Sequence, residues 1–458
     1  MNWPAKGTDF IITAAVKPHR FHWAALLLLL VLAAYLRHFS FFLPSNVGDS
    51  TAYQSLAMKM NHGFMKHYNV FHYRYAARSE RGLMDYVWET DPKNWQSNRI
   101  RKIYHQPLHL QPPLYPILIW ISHGIFQHGE PYTSVSLNKG RSVIAKPPWH
   151  YARAQFYAIV IPFLASLGTL LLVYLFCLRF LSFREGLLAV AILATSPIDI
   201  AVGAKLYADG LLTFFCFLSL YAFFRGLDAY RGAAIWALIA GISLGLAYLT
   251  KVSGILFAIG PLAAVLLHPR FRAWEGLKSP ALWQSACAAF LVALPWLYLM
   301  HRHYGAWLVN TPHDPSNSWF RYVFSRPAKA YWNDLLWMAP PLGLGILSGL
   351  VAWLKARRHW VQCSLFAVSL SYALMFLFFL KTGSAGVEDR YLLPIYPPLA
   401  ILASWAFVGI ADRLPKLWPR RLPFAAIWIA ILALGWRSAE FGLENSFAAL
   451  VIFSPLGY

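Results

Sequence analysis

Acidic side chains are scarce in this sequence: 19 Asp and Glu stand against 40 Lys and Arg, for a formal net charge of +21. Charge of either sign is scarce as well, at 13% of 458 residues, where a soluble chain carries about a quarter. That shortage excludes an ordinary soluble globular protein, because the apolar residues, 58% of the chain, come in long blocks suited to hydrocarbon. Cysteine is limited to Cys177, Cys216, Cys287 and Cys363, each inside an apolar block and no two at metal-ligand spacing. They read as small core residues, and neither a disulfide nor a cysteine metal site is expected. In a soluble protein the basic excess would raise nucleic acid as a partner. Here much of it lies in short loops between apolar blocks, where it sets orientation and favours anionic lipid or lipid phosphate. No nucleic-acid partner is expected.

What is present is a series of membrane-length apolar segments. A helix needs about 20 residues to cross a bilayer. The blocks predict spans near 22–43, 155–180, 186–203, 206–225, 233–250, 252–268, 281–300, 332–353, 361–380, 391–410 and 423–437, an all-α polytopic membrane protein of about eleven helices. Lys17 and Arg20 precede the first block, as in a signal peptide, but apolar residues resume after Arg37-His38, so a retained span is expected. Arg37 then reads as snorkelling to an interface. Alternate short loops carry the basic residues: Arg179 and Arg184; Arg225 and Arg231; Arg270, Arg272 and Lys278; Lys355, Arg357 and Arg358; Arg413, Lys416, Arg420 and Arg421. The rule that basic loops stay inside makes that side, with residues 1–21, cytoplasmic. Residues 22–437 form the membrane domain, including the 44–154 loop on the opposite side. The tail 438–458 is expected there too. The 44–154 loop is rich in aromatic residues and suits a small interfacial domain with juxtamembrane helices. Its segment 113–126 is too short to span and is expected to lie in or on the membrane.

Five elements that could carry chemistry fall on that outer face. In "GDSTAYQSLAMKM" apolar residues recur at helical spacing, with Tyr53 beside them, and Asp49 is placed either to cap the helix or to act as a working carboxylate. In "HLQPPLYPILIW" His109 and Gln111 sit at the mouth of a helix entered through two prolines. Lys205 and Asp209 are four apart at the outer end of a span, either an i,i+4 ion pair or a functional pair. Lys251 lies in a tight outer turn. Glu388, Asp389 and Arg390, followed by Tyr391, open an outer helix end; an Arg there suits a phosphate, or anchors the helix at the interface. His105 and His109 have ligand spacing on a helix, but Pro107 argues against that helix continuing, so no metal site is assigned.

These elements resemble the motifs of the polyprenyl-phosphate-sugar-dependent glycosyltransferases of the GT-C fold, which include the aminoarabinose transferase and protein O-mannosyltransferase families. The resemblance rests on "GDSTAY", "QPPLYP", Asp209 in "ADGLLTFF", the turn Leu249-Thr250-Lys251, and Arg390, Tyr391, Pro394 and Pro397. It covers roughly residues 22–410, and the order and spacing of short motifs carry it.

The resemblance implies a GT-C-like bundle and inverting transfer of a sugar from a polyprenyl-phosphate donor to an acceptor hydroxyl on the outer face. It implies Asp49 as general base, with Asp209 as second catalytic carboxylate, and Lys251, Arg390 and Lys205 at the donor phosphate. Tyr53, His109, Gln111, Tyr391 and Glu388 would position substrate. The chain departs from many relatives, with Asp49-Ser50 in place of Asp-Glu and Gln111 where a basic residue is usual. No cofactor is assigned, and a divalent cation is left open. The lack of a large soluble C-terminal segment favours a lipid or glycan acceptor over protein. The location implied is a bacterial inner membrane, with the site on the periplasmic side. A transporter or flippase of a lipid-linked or anionic substrate is the rival, disfavoured by few mid-span polar residues and no visible inverted repeat.

Overall fold

In hydrocarbon every backbone polar group must be satisfied within the protein, so apolar blocks of this length fold as helices. The computed structural model describes residues 20–38, 53, 56, 57, 60, 112–126, 136–138, 141–143, 148–229, 232–271, 274–304, 340–354, 359–379, 389–413, 429, 433 and 436. Its helices are α1 (Arg20–His38), α2 (Leu114–Phe126), α3 (Pro148–Phe180), α4 (Phe183–Ala194), α5 (Pro197–Val202), α6 (Asp209–Asp228) and α7 (Ala233–Thr250). They continue with α8 (Ile259–Leu267), α9 (Pro280–Tyr304), α10 (Pro340–Trp353), α11 (Trp360–Phe379) and α12 (Tyr396–Arg413). Short 3-10 turns, Val252–Ala258 and Asp389–Ile395, lead into α8 and α12. A small antiparallel ladder pairs Ser136–Asn138 with Arg141–Val143, a minor exception to the all-α expectation.

Among the described residues six helices are long and apolar enough to cross a membrane, and three shorter apolar helices accompany them. The chain is a multi-pass membrane protein. The expected span 423–437 lies outside the described residues, apart from Ile429, Ala433 and Trp436. Apolar side chains such as Leu28 and Val31 of α1, Ile242 of α7 and Leu291 of α9 point outward, as lipid-facing positions do. The core runs through Leu170, Leu193, Phe217, Phe224, Val368 and Leu402.

The two ends of the bundle differ. At one end Arg179, closing α3, pairs with Asp228, closing α6, and Arg184 of α4 reaches Asp412 of α12 at 3.3 Å. The ends of α3, α4, α6 and α12 that lead into basic loops therefore share one face. At the other end lie the start of α6, the end of α7 and the turn entering α12. Tyr53, Leu56, Ala57 and Met60 are buried there, with the 0, 3, 4, 7 spacing of one helical face. Tyr53 and Ala57 pack with Tyr115 and Ala208, while Leu56 and Met60 pack with Tyr248 and Trp296. Segment 113–126 forms α2, whose Tyr115 and Ile119 are buried in the same cluster as Ala158 of α3.

Two expectations are corrected here. The span predicted at 186–203 is not one helix: it breaks between α4 and α5, where Ser196 precedes Pro197 at the first turn. A residue before proline is pushed out of the helical region, so the chain bends. The break frees carbonyls at the end of α4, which apolar surroundings cannot satisfy. Arg37 satisfies them, and it is fully buried instead of snorkelling to an interface. Its Nη1 donates to Ala194 O at 3.2 Å and Ala33 O at 3.1 Å, and its Nη2 to Leu193 O at 3.2 Å. Nη2 also meets Asp199 Oδ2 at 2.7 Å, and Nε donates to Ser166 Oγ at 2.9 Å. Ser166 Oγ in turn donates a hydrogen bond to Asp199 Oδ1 at 2.9 Å. A guanidinium has five N–H donors, and all five are used. Gly203, just after α5, completes the fit, because a Cβ there would fall 2.5 Å from the Asp199 carbonyl oxygen.

Breaking a buried pair from one side leaves an uncompensated charge. Arg37→Met is expected to cost about 3–5 kcal/mol, read as a lower thermal-unfolding midpoint in detergent. Adding Asp199→Asn to it should recover part of that loss. A double variant less stable than Arg37→Met would show that the ion pair does not carry the effect.

Candidate functional site

Three helix ends meet at the end of the bundle away from the basic loops. The connector 203–208 is not helical, and α6 begins at Asp209, which puts the carboxylate in the first helical turn. That position suits an anion, because the N-terminal end of a helix carries partial positive charge. Thr213 Oγ1 donates to the Asp209 carbonyl at 2.7 Å and tightens this turn. Lys251 closes α7 in an extended conformation, φ −156° and ψ 135°, its N–H still bonded to Ala247 O at 3.0 Å. A cation complements the C-terminal end of that helix. Gly254 then turns the chain back, its N–H donating to Lys251 O at 2.9 Å. A Cβ on Gly254 would fall 2.5 Å from the Ala247 carbonyl carbon, so the turn needs glycine. Arg390 lies in the 3-10 turn Asp389–Ile395, which contains Pro394 and precedes the Pro397-Pro398 pair in the first turn of α12. A proline lacks the N–H that a deeper helical position would use, so the prolines keep this entry short and tight.

The three side chains converge. Lys251 Nζ donates to Asp209 Oδ1 at 2.8 Å, and Arg390 Nη1 stands 3.7 Å from Asp209 Oδ2. The Asp209 side chain is 1% exposed, against 7% for Arg390 and 18% for Lys251. The carboxylate is therefore the deep member, and the cations lie nearer the opening. Two tyrosines flank them. Lys251 Nζ is 4.1 Å from the Tyr391 ring centroid, and the Arg390 guanidinium is 3.9 Å from that of Tyr207 and 5.1 Å from that of Tyr391. Cation–π contacts of this kind contribute about 0.5–2 kcal/mol. They orient the cations without neutralising them. Beneath it, the Tyr372 hydroxyl of α11 donates to Ser253 Oγ at 3.3 Å and braces the turn that carries Lys251. Such a cluster is equipped to hold an anionic oxygen group.

Four of the residues singled out in the sequence, Asp209, Lys251, Arg390 and Tyr391, are brought together. Lys205 is half-buried on the connector four residues before Asp209. It does not form an i,i+4 helical pair with Asp209, because the helix starts only at Asp209. Tyr53 is buried edge-on against Tyr115, with ring centroids 5.0 Å apart. Asp49, His109, Gln111 and Glu388 lie outside the described residues. Sequence reading missed Tyr207, though an aromatic between Lys205 and Asp209 was a usable signal. It also missed Ser253 and Tyr372, whose pairing nothing in the sequence marks. Among the described residues no three His, Cys, Asp or Glu side chains converge as metal ligands.

Residues 152–299, which include Asp209 and Lys251, match the family described as dolichyl-phosphate-mannose-protein mannosyltransferase. No curated protein matches the chain. Among solved structures, ArnT from Cupriavidus metallidurans in the apo state is similar with a TM-score of 0.54 at 15% identity, over 94% of this chain and 76% of ArnT. The same protein bound to undecaprenyl phosphate gives 0.51, with the same identity and coverage. The archaeal oligosaccharyltransferase AglB from Archaeoglobus fulgidus, in complex with an inhibitory peptide and a dolichol-phosphate, gives 0.56 at 13% identity, over 93% of this chain and 56% of AglB. The chain has the GT-C fold. In this GT-C chain the Asp209–Lys251–Arg390 cluster lies at the end of the bundle opposite the basic loops.

A phosphate anion is a chemical probe of that cluster. Arg390→Ala is expected to weaken binding of a phosphate monoester to the purified protein by about 10- to 100-fold, the scale of a lost hydrogen bond to a charged group. Arg390→Lys keeps the charge but not the planar fork and should fall between. Unchanged binding in Arg390→Ala would remove this residue from an anion site.

Proposed function

We propose that this chain is an integral membrane glycosyltransferase. It moves a sugar from a polyprenyl-phosphate donor to a hydroxyl of a lipid or glycan acceptor, on the extracytoplasmic face and with inversion. The observation that carries this reading is the pair of cations, Lys251 and Arg390, held at the mouth of the bundle beside a buried carboxylate. The family description over residues 152–299, and the lipid phosphates bound by ArnT and AglB, support a phosphate-linked donor. Residues 1–21 are cytoplasmic, while the 44–154 loop and the 438–458 tail are extracytoplasmic. In a bacterium this is the periplasmic side of the inner membrane.

The chemistry follows from those charges. The acceptor oxygen attacks the anomeric carbon from the face opposite the phosphate, and its proton passes to a carboxylate. The bond from the anomeric carbon to the phosphate oxygen breaks, and its electron pair stays with the phosphate, where Lys251 and Arg390 stabilise it. Asp49 is the proposed base. Asp209 is less suited, because each of its oxygens already faces a cation. Asp49 is four residues before Tyr53, and Tyr53 packs in the same cluster as Ala208. Four residues of extended chain reach at most about 14 Å, so Asp49 stays within about that distance of Tyr53. No step is routed through a divalent cation.

The test separates catalysis from helix capping. Asn caps a helix about as well as Asp but takes no proton at neutral pH. Asp49→Asn should leave thermal stability near wild type and lower transfer by about 10²-fold or more. The readout is mass spectrometry of membrane glycolipids and glycans from cells lacking the gene, complemented by either form. A product found only on protein would replace the acceptor class, and full transfer by the Asn variant would leave Asp49 as a cap.

Orientation has its own test. With Ser97→Cys in an otherwise cysteine-free chain, an impermeant thiol reagent should label from the extracytoplasmic side. Labelling from the cytoplasm alone would place the cluster on the wrong face for this donor.

A further inference from the structure

Arg390 is held in two different ways. Its Nη1 stands 3.7 Å from Asp209 Oδ2, too far for a hydrogen bond, so that contact draws the guanidinium inward without fixing its direction. Over the Tyr207 ring the same guanidinium lies 3.9 Å from the centroid, at van der Waals contact. Tyr391 is farther from it, at 5.1 Å, and lies closer to Lys251, at 4.1 Å. A guanidinium stacked on an aromatic ring uses its face there and keeps its N–H edges for hydrogen bonds.

The backbone leaves Tyr207 little freedom. Its N–H donates to Lys205 O at 2.7 Å, which closes a three-residue turn around the fully buried Leu206. On its other side Ala208, also buried, accepts from Leu212 N–H at 2.8 Å at the opening of α6. Ala204, Leu206 and Ala208 pack with Tyr53, Tyr115 and Ala158, while Tyr207 itself stays half-buried. The connector is thus pinned by apolar residues on either side of Tyr207, and the ring is carried out against Arg390. A ring anchored in this way resists rotation of the guanidinium that lies on it.

Resting on the lipid-phosphate reading above, we propose that Tyr207 is a positioning residue for Arg390. The face of its ring sets the plane of the guanidinium, so that the fork meets two oxygens of one phosphate group. Tyr207 acts through Arg390 and not on the donor, and the ring carries the effect without the hydroxyl.

A double-mutant cycle separates this role from a merely structural one. The readout is binding of undecaprenyl phosphate to the purified full-length protein in detergent. Tyr207→Leu should weaken binding by about 3- to 30-fold, the range of a cation–π contact converted to affinity. Tyr207→Phe keeps the ring face and should stay within about twofold of wild type. With Arg390→Ala already in place there is no guanidinium to orient, and adding Tyr207→Leu should change affinity by less than about twofold, the ordinary error of additivity. If Tyr207 only supported the connector, its loss would displace Asp209 as well and weaken binding equally in both backgrounds.

Equal losses in the two backgrounds overturn the proposal. So does a Tyr207→Phe variant as weak as Tyr207→Leu, which would assign the role to the hydroxyl. Where Tyr207→Leu does not fold, Tyr207→Met supplies the same comparison. Failure of the two readings is distinguishable. Lipid bound through Arg390 with no coupling to Tyr207 removes only the positioning role. If wild type does not bind the lipid, or Arg390→Ala binds it as well as wild type does, the phosphate reading at Arg390 falls and takes this proposal with it.

Discussion

The end of this bundle away from the basic loops depends on one guanidinium. Hydrocarbon offers no hydrogen-bond partner, so a helix can break inside a membrane protein only where other groups take up the freed carbonyls. Arg37 does this for the end of α4 and at the same time holds Asp199 of α5 through an ion pair and a shared serine. An ion pair at this depth would be a poor source of stability by itself, since removing both charges from water costs about as much as their attraction returns. Its effect lies in what it fixes. With α4 and α5 held at an angle, the connector 203–208 emerges at the mouth and delivers Tyr207 and Asp209 to the surface of α7 and the turn before α12.

The second layer follows from the direction of the helices. The start of α6 and the end of α7 lie side by side because the two helices run antiparallel. Opposite ends of their dipoles meet there, and each carries the charge that suits it: Asp209 at the positive end and Lys251 at the negative one. Arg390 comes in from a third direction, on a proline-rich turn that cannot continue as regular helix. No one segment makes the cluster. It exists where an N-terminus, a C-terminus and an irregular turn coincide at one membrane boundary, and this is why the charges are affordable so near hydrocarbon.

The parts of this arrangement that obey a length rule were legible in the sequence. Blocks of about 20 apolar residues predict helices because the bilayer sets that length, and α1, α3, α6, α7, α9 and α12 appear within or across the expected ranges. The break at Pro197 was not read, because an apolar run on both sides of a proline looks like one span. Arg37 was misread for a related reason. An arginine at the end of a span has two outlets, the interface or a buried partner, and only the position of Asp199 in a different block decides between them. Asp209, Lys251 and Arg390 could be grouped in the sequence because each stood at a span end on the same face. Their contact could not be read, since it depends on how three helices pack. The positions of Asp49, His109, Gln111 and Glu388 fall outside the described residues and add nothing to either side.

A transfer of the proposed kind asks two different things of carboxylates, and one residue serves both poorly. A general base needs an oxygen open to the attacking hydroxyl, whereas a residue that positions the cations of a phosphate site keeps its oxygens turned to them. Paired acids on one enzyme divide such work when their surroundings differ. Asp209 has the surroundings of the second kind: buried, at a helix N-terminus, with a cation at each oxygen. Were it to take the acceptor's proton, it would drop its hold on Lys251 and Arg390 just as the phosphate gains charge. The leaving group would then be held most tightly at the moment it must depart. Placing the proton on a second carboxylate outside this trio avoids that conflict and lets the same two cations stabilise bond breaking and still release the product.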